Sequence, residues 1–272
     1  MSAERETVFV KLGGSLITDK TREATPRLDV IRRLAREVRA ALDAAPRLRL
    51  VLGHGSGSFG HFAARRYGVH TGLAGQDDWR GLAETSAAAA RLNRLVVDAC
   101  LEAGVPAISF QPSASARKRA GAVVEMATGP IEAALAHGLV PLVYGDVAFD
   151  DGQGTAIIST EDIFLYLARR IPPARILMAG IVDGVYESDP IRYPDSRRIP
   201  VLTPATLAQG AGGLGGSHGT DVTGGMLAKV QTLARLVESQ PHVRVHFFSG
   251  EIPGRLRDAL LGDEGFGTLL RA

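Results

Sequence analysis

TVFVKLGGSLITDK, residues 7–20, decides the fold. Residues 7–12 are mostly apolar and rich in β-formers, and they run straight into Gly13-Gly14. That pattern reads as a buried strand ending in a tight turn. A lysine stands at each end of the turn segment, Lys11 at its opening and Lys20 at its close. Gly-rich turns let backbone N–H groups approach phosphate, and a lysine ammonium is a compact charge that can follow a moving phosphate.

The same strand-then-glycine pattern recurs outward from this stretch. RLRLVLG (47–53) is a second strand that runs into HGSGSFGH (54–61). Further strands are predicted at 106–110, 139–144, 174–180 and 243–250, and the chain closes with a short GTLL run. Helices alternate with them. Leu28, Ile31, Leu34, Val38 and Leu42 recur at helical spacing, so 28–43 is amphipathic. Residues 82–103 form an Ala- and Leu-rich helix that stops at Gly104. Helices are also predicted at 130–137, 225–239 and 254–261, and one through 170 that Ser159 or Thr160 would cap, with Asp162 in its first turn. The alternation predicts an α/β fold, a three-layer αβα sandwich with a mainly parallel central sheet. In such sheets ligands gather at the carboxyl ends of the strands, where the Gly-rich turns at 13–14, 53–60 and 145 fall. The turn-rich segment GDVAFDDGQGTA (145–156) reads as the boundary between two lobes of one domain, about 1–150 and about 151–272.

Lysine usage supports a phosphate site. Of 31 basic residues only four are lysines: Lys11, Lys20, Lys118 and Lys229. Lys229 follows Gly-Gly in DVTGGMLAK, so three of the four flank glycine turns. Lys118, in ARKR, reads as a solvated loop charge without a function. The net charge of +2 is too small to imply nucleic acid. Cys100 is the single cysteine, so no disulfide forms within the chain, and it reads as a buried thiol. No stretch approaches the ~20 apolar residues of a membrane span and the N-terminus has no signal-length apolar run. A reducing cytoplasm is the expected location.

Gly55-x-Gly57-x-x-Gly60 follows a strand and formally matches a dinucleotide fingerprint. The acidic partner it needs would be Asp77 or Asp78, which lie in polar GQDDWRG and not at a strand end. There is no G-x-x-x-x-G-K-[ST]. The histidines show no metal-ligand spacing, and no metal held by protein ligands is expected. His61, just after Gly60, would sit beside the second turn, where either protonation state can donate to an anion. His54 reads as structural. Asp146, Asp162, Asp183 and Asp189 each admit a plain reading as turn or helix-start residues.

Taken together, KLGGSLITDK, the turn ending SFGH, GDV (145–147), ISTED (158–162), DGVYESDP (183–190) and DVTGGMLAK (221–229) resemble the amino acid kinase superfamily over nearly the whole chain. Within it, SFGH combined with Lys20 resembles the isopentenyl phosphate kinase family. The resemblance implies ATP with Mg²⁺ carried mainly on its phosphates, isopentenyl phosphate as acceptor, a homodimer, and no nucleic-acid or membrane partner. It implies catalytic roles for Lys11, Lys20, His61 and Asp162, with Lys11 bridging the two phosphates and Asp162 orienting the lysines. ATP would be held by Lys11, Leu12, Gly13, Gly14, Ser15 and Lys20 in the first turn, by Gly57, and by Asp183, Gly184, Tyr186, Asp189, Gly225 and Lys229. The acceptor would meet Ser56, Gly57, Gly60 and His61, then Gly145, Asp146 and Thr160, with its tail on Phe62, Tyr67, Val69, Leu82 or Phe149. Two departures from the family pattern stand out. A Gly-Gly-Gly run reads Gly55-Ser56-Gly57, which requires a negative φ at Ser56. Ser-Gly-Asp-Asp reads Ser159-Thr160-Glu161-Asp162, which places a β-branched residue near the acceptor. Alternatives are a kinase of the same fold for another small phosphate or a phosphonate such as fosfomycin, a non-catalytic nucleotide-binding protein, and a nicotinamide-dependent dehydrogenase.

Overall fold

Alternation along a strand sends neighbouring side chains to opposite faces, and here it sorts the whole core. The computed structural model describes residues 6–73, 79–208 and 225–272. In chain order the first part comprises β1 (Thr7–Leu12), α1 (Gly14–Ile17), α2 (Leu28–Ala44), β2 (Arg49–His54), α3 (Gly57–Arg66) and α4 (Arg80–Glu102). Next come β3 (Ala107–Ser109), β4 (Arg117–Arg119), β5 (Ala122–Glu125), α5 (Gly129–Ala136), β6 (Val140–Tyr144), β7 (Asp146–Asp150) and β8 (Gly154–Ile158). The remainder is α6 (Thr160–Leu167), β9 (Arg175–Gly180), β10 (Val185–Tyr186), β11 (Arg198–Ile199), β12 (Val201–Leu202) and α7 (Pro204–Ala208), followed by α8 (Gly225–Ser239), β13 (Arg244–Ser249), α9 (Arg255–Leu260) and β14 (Thr268–Leu270).

Eight strands form the main sheet in the order β12-β14-β13-β9-β1-β2-β6-β3. The run from β13 to β3 is parallel, and only the β13–β14 pairing is antiparallel. Val8, Val10 and Leu12 face one helical layer, joining Leu34 of α2, Leu92 of α4 and Leu256 of α9. Phe9 faces the other, with Phe164 of α6 and Leu233 of α8. The Phe9 and Phe164 rings lie 5.1 Å apart at 49°, a tilted aromatic pair at the centre of that layer. The predicted α/β sandwich with helices on both faces of a mainly parallel sheet is therefore the observed architecture. Cys100, on α4, is buried in the first layer, and burial pushes its thiol up to about 12.

Two expectations need correction. The segment 145–156 is not a boundary: it is a hairpin in which β7 pairs antiparallel with β8, and its turn residues make the bend at 151–153. Nor is ARKR a loop. It contains β4, which pairs with β5 and β7 to complete a separate four-stranded sheet, β5-β4-β7-β8. Short strands with exposed outer faces carry too few apolar residues to announce themselves.

Candidate active site

The chain leaves β1 in both directions across the sheet, so the carboxyl ends of β9, β1, β2 and β6 meet at a topological switch point. Backbone hydrogen bonds sew their loops together. Gly13 N–H donates to Ala179 at 2.8 Å, Gly55 N–H to Leu12 at 3.0 Å, and Gly145 N–H to His54 at 2.9 Å. The turns after β1 and β2 then touch main chain to main chain: a Cβ on Gly14 would lie 2.7 Å from the Gly57 nitrogen. Gly57 itself has φ +52°, and a Cβ there would collide with Thr18 Oγ1. Only glycine fits either position. Thr18 completes the clamp, its hydroxyl donating to Gly14 O at 2.6 Å and accepting from Ser58 N–H at 2.9 Å. Ser56 has φ −70°, the negative value that a serine there requires.

Lys11 follows from the alternation. It shares the Phe9 face of β1, so its ammonium emerges toward α6 and α8, where it pairs with the Glu161 carboxylate in a buried contact. Burial pulls the Lys11 ammonium below its ordinary range; Glu161 opposes this and the nearby Lys229 adds to it. Burial alone would raise Glu161, but Lys11 and Lys229 outweigh it and hold the carboxyl below the usual range. One anion thus stands between two cations, which leaves positive charge uncompensated for an incoming phosphate.

Asp162 was expected to orient these lysines. Its backbone N–H donates to Ser159 Oγ at 3.0 Å and its carboxylate accepts the Ser159 N–H at 3.0 Å, a capping box that starts α6. Its side-chain ion pair is with Lys118 at 3.1 Å. Lys118 is buried inside the small sheet, which corrects its reading as a solvated charge. The residue that meets Lys11 is Glu161. Consecutive helix residues point about 100° apart, so two adjacent acids on α6 serve two different lysines.

A cleft of about 410 Å³ opens over these groups. The structure brings Lys11, Gly13, Gly14, Ser15 and Lys20 to its wall together with Ser56, Gly57 and His61. Gly145, Thr160, Glu161 and Asp162 line it from the second side, and Lys229 of α8 from the third. A smaller hollow continues past His61, bounded by Gly60, Ala64, Thr85, Ala89, Asp146 and Ile157. Asp146 is buried there; burial raises its carboxyl, and one oxygen accepts the Ser113 N–H at 3.1 Å. The Thr160 hydroxyl donates to the His54 carbonyl at 2.7 Å, which fixes the start of α6 to the end of β2. His54 is structural as expected: it is buried, stacks on Tyr144, bonds Gly55 and Asn93, and burial lowers its pKa to about 4.

Other expected site residues stand elsewhere. The Leu12 side chain is core, and Gly13, although on the cleft wall, has its N–H bound to Ala179. Asp183 is tied to Arg255 and, at 3.7 Å, to Arg198, while Asp189 caps its own turn through Ile191 N–H. Gly184 packs against Thr268, and Tyr186 sits in the β10–β11 ribbon. None of these four lines the cleft; Gly180, Ile181 and Val182 do, directly after β9. Gly225 begins α8 with φ +67° and is not in the wall, which takes Met226, Ala228 and Thr232 from that helix. Residues 209–224, which include the DVTG of DVTGGMLAK, and Asp77 and Asp78 lie outside the described residues. Of the suggested tail contacts, Tyr67, Val69 and Leu82 pack on Val147 in a small cluster and Phe149 stacks with Trp79. Phe62 does not line the hollow either. Sequence reasoning missed Glu161, Lys118 and the loop 180–182. Only the last carried a readable signal, since it follows a strand next to β1.

Comparison with known proteins places this geometry. Residues 6–249 match the amino acid kinase family. The isopentenyl phosphate kinase of Methanothermobacter thermautotrophicus is 35% identical over 268 residues, covering 96% of this chain and 97% of the relative. That of Haloferax volcanii is 36% identical over 251 residues, covering 91% and 96%. A crystal structure of an isopentenyl phosphate kinase superposes with a TM-score of 0.83 at 32% identity, covering 97% of this chain and all of that one. With the switch-point cleft, the clamped glycine turns and the match along most of its length, the chain belongs to the amino acid kinase family.

Proposed function

We propose that the protein transfers the γ-phosphoryl group of ATP to isopentenyl phosphate, giving isopentenyl diphosphate and ADP for isoprenoid synthesis. The observation that carries this is the meeting of Lys11, Lys20, Lys229 and His61 around one cleft at the sheet's carboxyl edge. The attacking atom is an oxygen of a phosphate monoester, already anionic near neutral pH, so no general base is required. As the P–O bond to ADP breaks and the new one forms, catalysis consists of positioning and charge neutralisation. Lys11, at the junction of the walls, would touch the transferring group. Lys20 and Lys229 would hold ATP phosphates, with the loop 180–182 beside the nucleotide. The first-turn N–H groups of α1, at Gly14 and Ser15, and of α3, at Gly57, would donate to the phosphates from the cleft wall. His61 would donate to the acceptor phosphate, with the C5 tail entering the hollow between Ala64, Thr85, Ala89 and Ile157. Glu161 holds Lys11 in place between turnovers.

Both cleft carboxylates are committed to lysines, and among the described residues no cluster of three acidic, histidine or cysteine ligands occurs. Mg²⁺ is therefore proposed to enter on the ATP phosphates, where it would neutralise charge. A homodimer working in the cytoplasm completes the proposal; no described helix is long and apolar enough to cross a membrane.

ATP consumption measured with isopentenyl phosphate, dimethylallyl phosphate, fosfomycin, glutamate and UMP tests the reading. Turnover should be greatest with isopentenyl phosphate. Brisk turnover of another acceptor beside none of isopentenyl phosphate would overturn the assignment.

A further inference from the structure

Lys118 is 5% exposed, whereas Arg117 and Arg119 on either side reach solvent and pair with Asp151. Strand alternation turns the lysine inward. Its ammonium donates to the Ile157 carbonyl of β8 at 3.0 Å and to the Asp162 carboxylate of α6 at 3.1 Å, and it faces Asp150 across the β4–β7 register. Lys118 does not line the cleft; Asp162 and Glu161 do. The lysine therefore reaches the site from behind, out of the small sheet, through a carboxylate that forms part of the wall.

Charge shows what this contact does. Three lysines, Lys11, Lys20 and Lys229, surround the cleft, and two adjacent acids open α6. If both acids stood uncompensated, they would cancel most of the attraction for phosphate. We propose that Lys118 is a positioning residue of the phosphoryl-transfer site: by neutralising Asp162 and holding the first turn of α6 to the small sheet, it leaves Glu161 as the one carboxylate that draws on the cleft lysines and so preserves the positive charge that binds ATP. This rests on reading the cleft as the nucleotide site.

Equilibrium ATP binding, measured by calorimetry on the full chain with Mg²⁺ present, tests it through Lys118→Met, Asp162→Asn and the double variant. Asparagine keeps the capping oxygen of Asp162 and removes its charge. Lys118→Met should weaken ATP binding about tenfold, the scale of one uncompensated charge near a bound anion at a protein-like dielectric. Lys118→Met/Asp162→Asn should return to within about threefold of the parent, and Asp162→Asn alone should bind ATP at least as tightly as the parent. Unchanged ATP affinity in folded Lys118→Met, or a double variant no tighter than Lys118→Met, overturns the proposal. If Lys118→Met fails to fold, the other two variants decide: parent-like affinity in the double variant supports the idea, and weakened affinity in Asp162→Asn sinks it. Binding needs no acceptor. A parent that binds ATP but leaves isopentenyl phosphate untouched removes the acceptor assignment alone; a parent that does not bind ATP removes both.

Discussion

The two walls of the cleft are made of different material. One, the turns after β1 and β2, is main chain against main chain: Gly14 on Gly57, with Thr18 hydrogen-bonded to both sides. The other, the start of α6, is side-chain charge, with Glu161 on Lys11 and Asp162 on Lys118. The first wall is rigid because no side chain fits between its strands of backbone. The second is held by ion pairs whose burial is costly unless each partner stays in place. Shape comes from one wall and field from the other.

The largest effect should come from the charge wall. Lys11→Ala is expected to lower kcat about 10³-fold, as loss of a transition-state donor does, with circular dichroism showing an unchanged fold. A near-normal kcat would move the transition-state role to another lysine. Glu161→Gln should cost less, about 10- to 10²-fold in kcat/KM, because it misplaces Lys11 without removing it. It also carries a pH signature. Lys11 acts as the ammonium, so activity is lost as pH rises through its pKa, which burial sets below the ordinary lysine value. The alkaline limb of kcat/KM should therefore lie below about 10.4, the ordinary lysine value. Removing the carboxylate that props this pKa up should move the limb lower still. A limb that stays put in Glu161→Gln would detach it from Lys11.

Breaking the backbone wall should be felt first as stability. Gly57→Ala forces a side chain into a left-handed backbone and onto Thr18, and should destabilise by about 2–4 kcal/mol, read by denaturant unfolding. Retention of the parent midpoint would mean that the two turns can separate freely. The smallest effect is expected where the walls meet the acceptor: His61→Ala should raise KM for isopentenyl phosphate about tenfold while leaving KM for ATP nearly unchanged. Equal losses on both substrates would place His61 on the nucleotide instead.

The same contrast explains what the sequence revealed. The backbone wall is local: strand, glycine turn and helix follow each other within a few residues, so β1, β2 and their turns were legible, as were α2, α4 and α6. The charge wall is assembled from a distance. Glu161 meets Lys11 across 150 residues, and Lys118 meets Asp162 across 44. Choosing between two neighbouring acids requires the rotation of α6 about its axis, which no spacing rule supplies. Lys118 was hidden for a related reason. A three-residue strand between two solvent-facing arginines reads as a charge run, and only its pairing with β7 turns the middle side chain inward. The Asp183–Asp189 loop is the opposite case: its motif is plain in the sequence, while only the structure shows that its carboxylates pair with an arginine and a turn N–H.

The buried thiol of Cys100 has a practical use. A single cysteine enclosed in the core, with its thiolate out of reach at neutral pH, makes the native protein silent toward maleimide dyes. One cysteine introduced at Ile181, which is 40% exposed at the mouth of the cleft, would be the only labelled position. Its fluorescence would follow nucleotide arrival and departure in real time, with no native residue to remove first.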